Sequence, residues 1–236
     1  MHALGETASD WRWSLPVLAR TRRVYAPDLP GFDEKGMPGG DYSSSAFARY
    51  LEGFLDAAGV EHAAVVGNSL GGLVALRLAL SSPARVSALG LVGSAGLGRE
   101  ISVALRAVTL PGYGEVAVAW GKTLPGATQR ALGRALLLFG ERRRVPAGWL
   151  SEQRSLARRP GFLDAALAAL RATVDLGGQR EVLPDRLPEL RVPTLVLWGE
   201  SDAIVPVRHA REAAARLRKG VLHRIPRCGH LPQVER

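Results

Sequence analysis

The sequence predicts an α/β fold with a mostly parallel sheet, helices on both faces and a helical insertion. Three observations lead there. Short apolar runs rich in Val, Leu and Ile alternate with segments of helical periodicity, which is how a chain builds a parallel sheet. The strand signal then vanishes between residues 98 and 188, where Ala, Leu and Arg recur at helical spacing. It returns at "VPTLVLWGE" (192–200). A helical stretch between two strands of one sheet reads as an excursion above that sheet.

Taken in order, "RRVYAPDLPGF" (22–32) begins as a β-rich strand and ends in Pro/Gly turn chemistry. In "SSSAFARYLEGFLDAAGV", Phe47, Tyr50, Leu51, Phe54, Leu55 and Ala58 fall on one helical face. Serines stand at its start and Gly59 at its end, so a helix is expected there. "HAAVVGNS" is a short apolar strand, "LGGLVALRLALSS" a buried helix closed by Pro83, and "VSALGLVGSAG" a further strand. "LPGYG", "LPGA", "RVPAG" and "RRPGF" break the helical stretch into pieces. After the strand at 192–200 come a helix at "VRHAREAAARLRK" and the strand "GVLHRIP". The expected organisation is a core from 1–97, a helical cap from 98–188 and a second part of the core from 189–236.

At 236 residues the chain is long enough for one domain with a large core. No apolar run reaches membrane-spanning length, and "MHALGETASDWRW" does not read as a signal peptide. The single cysteine, Cys228, excludes an internal disulfide and suits a reducing, cytoplasmic location. The net charge is +9, carried almost wholly by arginine, with Lys35, Lys122 and Lys219 the only lysines. These charges are spread along the chain, with one run at Arg142-Arg143-Arg144 and few aromatics among them. They read as solvated surface rather than a nucleic-acid site.

The chemistry concentrates at Gly67-Asn68-Ser69-Leu70-Gly71. Gly-x-Ser-x-Gly between a strand and a helix forms a nucleophile elbow, a sharp turn that strains the serine backbone and lifts its hydroxyl above the sheet. The glycines remove side chains that would collide across the turn, and Gly72 lets the helix pack closely. A serine needs a base and the base an orienting carboxylate. Asp202 lies just past the strand "PTLVLWG", and His230 just past the next strand, in "RCGHLP". Both fall where a parallel sheet presents its chemistry.

With these motifs in view, the chain resembles the α/β-hydrolase fold family of serine esterases, carbon–carbon bond hydrolases and cofactor-free haloperoxidases. "GNSLGG", "WGESDAIVP" and "CGHLPQVE" are similar to its nucleophile, acid and histidine motifs, and "APDLPGF" to the segment after an early strand. The resemblance implies Ser69 as nucleophile, His230 as general base and then acid, and Asp202 as orienting carboxylate. The oxyanion donors it implies are the N–H groups of Leu70 and Leu4, the latter in "HALG", where Ala3 replaces the usual glycine. It implies a small-molecule substrate and no cofactor, and leaves a homo-oligomer open. "GNSLGG", "GSAGLG" and "CGH" lean toward meta-cleavage-product hydrolases. Leu231, where those enzymes often carry tryptophan, leaves a carboxylesterase equally open. Ser69 in the elbow disfavours an Asp-nucleophile epoxide hydrolase or dehalogenase. A catalytically inactive relative or ligand-binding module of the same fold is the alternative.

Other candidates have plainer readings. Asp28 precedes Ser69 in the chain and is expected to shape a turn, while Glu200 is the fallback acid. His209 and His223 read as structural, His62 as a surface residue, and His2 as a support for the oxyanion loop. Cys228 lacks any partner at zinc-ligand spacing. "GKT" (121–123) and "GSAGLG" (93–98) fail the spacing of phosphate and dinucleotide loops. Trp120, Phe139, Trp149 and Phe162 fit a pocket wall, but at helical spacing they read first as core. The resemblance also implies two or three strands before "HALG" and a closing helix after the histidine motif. By that standard the chain reads as clipped at both ends, with an exposed sheet edge prone to aggregate.

Overall fold

A computed structural model describes residues 1–33 and 39–236. In chain order it contains α1 (Leu15–Leu18), α2 (Ser44–Ala57), β1 (Ala63–Asn68), α3 (Leu70–Ser81) and β2 (Val86–Val92). The stretch between β2 and the next sheet strand holds α4 (Val103–Val108), α5 (Tyr113–Gly121), α6 (Leu124–Leu138), α7 (Trp149–Arg158) and α8 (Phe162–Thr173). A two-stranded hairpin of β3 (Val174–Asp175) and β4 (Gly178–Gln179) closes it. Then come β5 (Thr194–Gly199), α9 (Arg208–Arg216), β6 (Gly220–Ile225) and α10 (Pro232–Glu235). The main sheet has the order β1-β2-β5-β6 with every pair parallel, as the alternating pattern predicts.

Local chemistry accounts for the element ends. Ser43 caps α2 by accepting the Ala46 N–H at 3.2 Å. Gly59, at φ +65°, ends the helix in a Schellman motif: Val60 N–H reaches the Leu55 carbonyl and Gly59 N–H that of Asp56. The buried face of α2 is Phe47, Ala48, Leu51 and Leu55. Helix α3 is buried almost throughout and packs on β1, β2 and α2. Each fully buried Leu or Val there contributes about 1.5–3 kcal/mol.

Two expectations are corrected. Residues 22–29 form no strand. The free edge of β1 is occupied near its C-terminal end by Met1, whose amine donates to the Val66 carbonyl and whose carbonyl accepts the Asn68 N–H. Without a ladder to join, 22–29 is held through side chains instead: Leu29 N–H donates to His2 and Ala8 N–H to Asp28. The region expected to be free of strands also contains the β3–β4 hairpin. That hairpin is only two residues per strand, too short to show a period of two.

The sheet's two faces differ. Val65, Leu89 and Thr194 lie in one transverse row and are buried, as are Leu91 and Val196 in the next row on that face. On the opposite face Val66, Gly90, Leu195 and Val221 also stand in register, and here the side chains are exposed by 39%, 43% and 64% for Val66, Leu195 and Val221. Parallel sheets normally bury both faces, so this apolar row is unusual. Among the described residues no helix is long and apolar enough to cross a membrane.

Candidate active site

Ser69 joins β1 to α3 with φ +53° and ψ −115°, a region that L-residues rarely enter. Such a backbone costs on the order of 1–3 kcal/mol and persists only where its surroundings hold it. Ser69 N–H donates to the Val92 carbonyl at the end of β2, and the Ser69 carbonyl accepts the N–H groups of Gly72, Leu73 and Ala95. The elbow also requires its glycines. A Cβ on Gly67 would lie 2.0 Å from the Gly71 carbonyl oxygen, and one on Gly72 would lie 2.4 Å from Ser94 Oγ.

Asp202 follows β5 and His230 follows β6, and the two meet. His230 Nδ1 is 2.7 Å from Asp202 Oδ2, with both side chains buried. Because a carboxylate only accepts, the proton belongs on Nδ1, leaving Nε2 bare to act as a base. Asp202 Oδ1 accepts the N–H groups of Ile204 and Val205 at 2.8 and 2.9 Å. Glu200, the fallback acid, is paired instead with Arg224 at the surface.

No hydrogen bond between Ser69 Oγ and His230 is formed among the described residues, and such bonds are often long in unliganded enzymes. The two are tied through the neighbouring residue. Asn68 Nδ2 donates to the Val92 carbonyl at 2.9 Å and to the His230 carbonyl at 3.0 Å, while its Oδ1 accepts from Gln233. The same end of β2 therefore fixes the Ser69 backbone and the His230 loop.

A cavity over Ser69 is lined by Leu4, Leu70, Ala95, Ile101, Leu105, Leu170, Thr173, Val174 and Gln179. Leu4 and Leu70, the residues expected to supply oxyanion donors, thus line the same cavity as Ser69. Leu70 is the first residue of α3, so its N–H has no acceptor within the helix. Among the described residues the lining carries no charge. Its two polar side chains beyond Ser69 are engaged: Thr173 donates to the Ala169 carbonyl, and Gln179 bonds Gly96, Gly98 and Glu100. The cavity presents the Ser69 hydroxyl, with Leu4 and Leu70 beside it, to an apolar ligand, and His230 lies outside its lining, buried behind the elbow.

The supporting residues fall as expected. His2 is wholly buried, its Nδ1 donating to the Ala3 carbonyl and its Nε2 accepting the Leu29 N–H, and burial pushes its pKa down to about 3. It is a neutral brace for the loop that carries Leu4. Burial, and next to it the Glu235 carboxylate, push the Cys228 thiol up to about 12, leaving it inert. Phe139 packs edge-on against Trp149 and Phe162 against Phe32, both within the core, while Trp120 is exposed. His209 is buried against Glu100, and His62 and His223 are at the surface.

Sequence reasoning missed two carboxylates. Glu235 accepts the N–H groups of Gly229, Gly140 and Glu141, stitching the His230 loop to the end of α6. Glu6, two residues after Leu4, is wholly buried and bonded to α6 and α7. Both stand inside motifs already quoted, "CGHLPQVE" and the residues after "HALG", but nothing in the spacing tells a clamp from a solvated acid.

Comparison with known proteins identifies the family. The family model for the alpha/beta hydrolase fold matches residues 1–236. The chain belongs to the α/β-hydrolase fold family. It is 36% identical to the 2-hydroxymuconate semialdehyde hydrolase of Pseudomonas sp. (strain CF600), over 98% of this chain and 78% of that protein. Among solved structures, it superposes on 2-hydroxy-6-oxo-6-phenylhexa-2,4-dienoate hydrolase from Rhodococcus sp. strain RHA1 with a TM-score of 0.81. The identity there is 25%, over 100% of this chain and 84% of that one. A thermophilic esterase from Thermogutta terrifontis gives a TM-score of 0.78 at 26% identity, over 99% and 82% of the two chains.

Proposed function

We propose that the protein is a serine hydrolase that cleaves a small carbonyl substrate, either a carboxylic ester or a C–C bond beside a ketone. One observation carries the reading: a buried Asp202–His230 pair whose geometry calls for a proton on Nδ1, tied through Asn68 to a serine in a strained elbow. Ser69 Oγ attacks the carbonyl carbon as His230 Nε2 takes its proton. The oxyanion is held by the Leu70 and Leu4 N–H groups. The tetrahedral species collapses as His230 returns the proton to the leaving group. Water, deprotonated by the same histidine, then releases the acyl group from Ser69.

The relatives include both carbon–carbon bond hydrolases and an esterase, so both substrate types stand. The uncharged lining of the cavity favours an apolar acyl group next to the scissile bond. The deciding experiment is turnover of p-nitrophenyl acetate, with covalent labelling by a fluorophosphonate probe. Wild type is expected to hydrolyse the ester and take the label, and Ser69→Ala to do neither. Equal hydrolysis by the two proteins would sink the proposal and leave a non-catalytic ligand-binding module.

A further inference from the structure

We propose that Glu6 is a positioning residue for the oxyanion hole, and that helices α6 and α7 set the Leu4 donor through it. The inference rests on the hydrolase reading, since it assigns work to the Leu4 N–H. Glu6 N–H donates to the Ala3 carbonyl, closing a turn around Leu4 and Gly5, with Gly5 at φ +69°. The wholly buried Glu6 carboxylate then reaches into the cap helices. One oxygen accepts from Arg134 of α6 and the other from Gln153 Nε2 of α7 at 2.7 Å. Arg134 Nε in turn donates to Gln153 Oε1 at 2.9 Å, so the three side chains form a closed ring.

Apolar residues of similar volume often serve as well as a buried ion pair or better, so stability alone is a weak reason for this one. What this ring holds gives it a purpose. The guanidinium groups of Arg130 and Arg134 lie against Gly5, within 3.2 and 3.4 Å of where its Cβ would be. On the far side of the loop, His2 fixes the Ala3 carbonyl. Leu4 is therefore gripped from both ends. The same helix holds the base, since His230 N–H donates to the Leu138 carbonyl at the end of α6 at 2.7 Å. Helix α6 thus spaces the oxyanion donor from the catalytic histidine.

The ring's chemistry supplies its own test. In Glu6→Gln, an amide NH2 faces the NH2 of Gln153, a donor against a donor. In Gln153→Glu, two carboxylates face each other. In the double variant Glu6→Gln/Gln153→Glu the ring closes again: residue 153 accepts from Arg134 and from residue 6, and residue 6 still accepts from Arg134. Each single variant is expected to lower kcat for p-nitrophenyl acetate about tenfold with KM within about twofold. Affinity for a trifluoromethyl ketone, which mimics the oxyanion, should fall in step. The double variant should recover both to within about threefold.

Wild-type kcat in the folded single variants overturns the proposal. So does a double variant that regains its melting temperature but not its kcat, because the ring would then be merely structural. Hydrogen exchange of the amides of residues 3–7 gives a readout that needs no turnover. It should quicken in the single variants and slow again in the double. If wild type fails to hydrolyse the ester, the hydrolase reading and the catalytic role fall together. Unchanged exchange in the single variants would then remove the clamp as well.

Discussion

The Asp202 carboxylate divides its work between two partners: Oδ2 accepts from His230 Nδ1 at 2.7 Å, and Oδ1 accepts the Ile204 and Val205 N–H groups at 2.8 and 2.9 Å. The division decides how an amide would sit. In Asp202→Asn the oxygen must stay on the two N–H groups, so the NH2 faces His230. Nδ1 then has to accept, the proton moves to Nε2, and the base is blocked. The expected result is a fall in kcat of about 10³–10⁴ at neutral pH with little change in KM. A variant within about tenfold of wild type would show that His230 does not act through Asp202.

Ser69 is strained because its hydroxyl has to stand above the sheet, and glycine would relieve that strain. Ser69→Gly is therefore expected to be inactive and more stable than Ser69→Ala by about 1 kcal/mol, after allowing for the greater freedom of glycine when unfolded. Melting temperatures should differ by about 2–4 °C in that direction for a chain of this size. Equal melting points would mean that the elbow stores no strain.

The core of this candidate site was legible because each of its three residues follows a strand whose composition reveals it. Strands β1, β5 and β6 are apolar and end in turn chemistry, so Ser69, Asp202 and His230 could be placed at one sheet edge without knowing a single distance. The segment at 22–32 misled for the complementary reason. Its residues favour a strand, but a strand also needs a partner, and Met1 already occupies part of the edge of β1. Glu6 and Glu235 were invisible because a buried clamp and a surface acid share one residue type. Only long-range packing separates them.

The in-register row Val66–Gly90–Leu195–Val221 leaves three apolar side chains open on one sheet face. Threonine has the β-branch that strands favour, keeping it at Val66 and Val221 and adding it at Leu195, while presenting a hydroxyl to water. The triple variant Val66→Thr, Leu195→Thr, Val221→Thr should bind less of a hydrophobic dye such as ANS and remain monodisperse at higher concentration. If dye binding and light scattering match wild type, this face is covered in solution.

Cys228 is fully buried, and its thiol is pushed up to about 12 by burial first and by the Glu235 carboxylate next. Since the thiolate is the reactive form, iodoacetamide at pH 8 should leave the folded protein unmodified and alkylate it once urea unfolds it. Intact mass before and after unfolding reads this directly. Rapid alkylation of the native protein would mean that the loop before His230 opens to solvent.

The same linkage makes His2 an acid-sensitive brace. Buried and bonded on both nitrogens, it cannot take a proton until about pH 3, whereas the unfolded chain protonates it near 6.5. Between these values the unfolded state binds more protons, so stability rises with pH and is lost as pH falls, by up to about 1.4 kcal/mol per pH unit. Glu100, Glu115 and Glu141, held at about 2 mainly by hydrogen bonds to His209, Arg171 and Arg236 respectively, act with the same sign but only toward lower pH. From pH 6.5 down to about 5 the slope should therefore carry a clear contribution from His2. In His2→Gln a side-chain NH2 can still donate to Ala3 and a carbonyl can accept from Leu29, but nothing titrates. Urea midpoints across that window should fall with acidification in wild type and fall less steeply in His2→Gln. Parallel slopes for the two proteins would show that His2 takes its proton in the folded state, and that the brace beneath the oxyanion loop is looser than its burial implies.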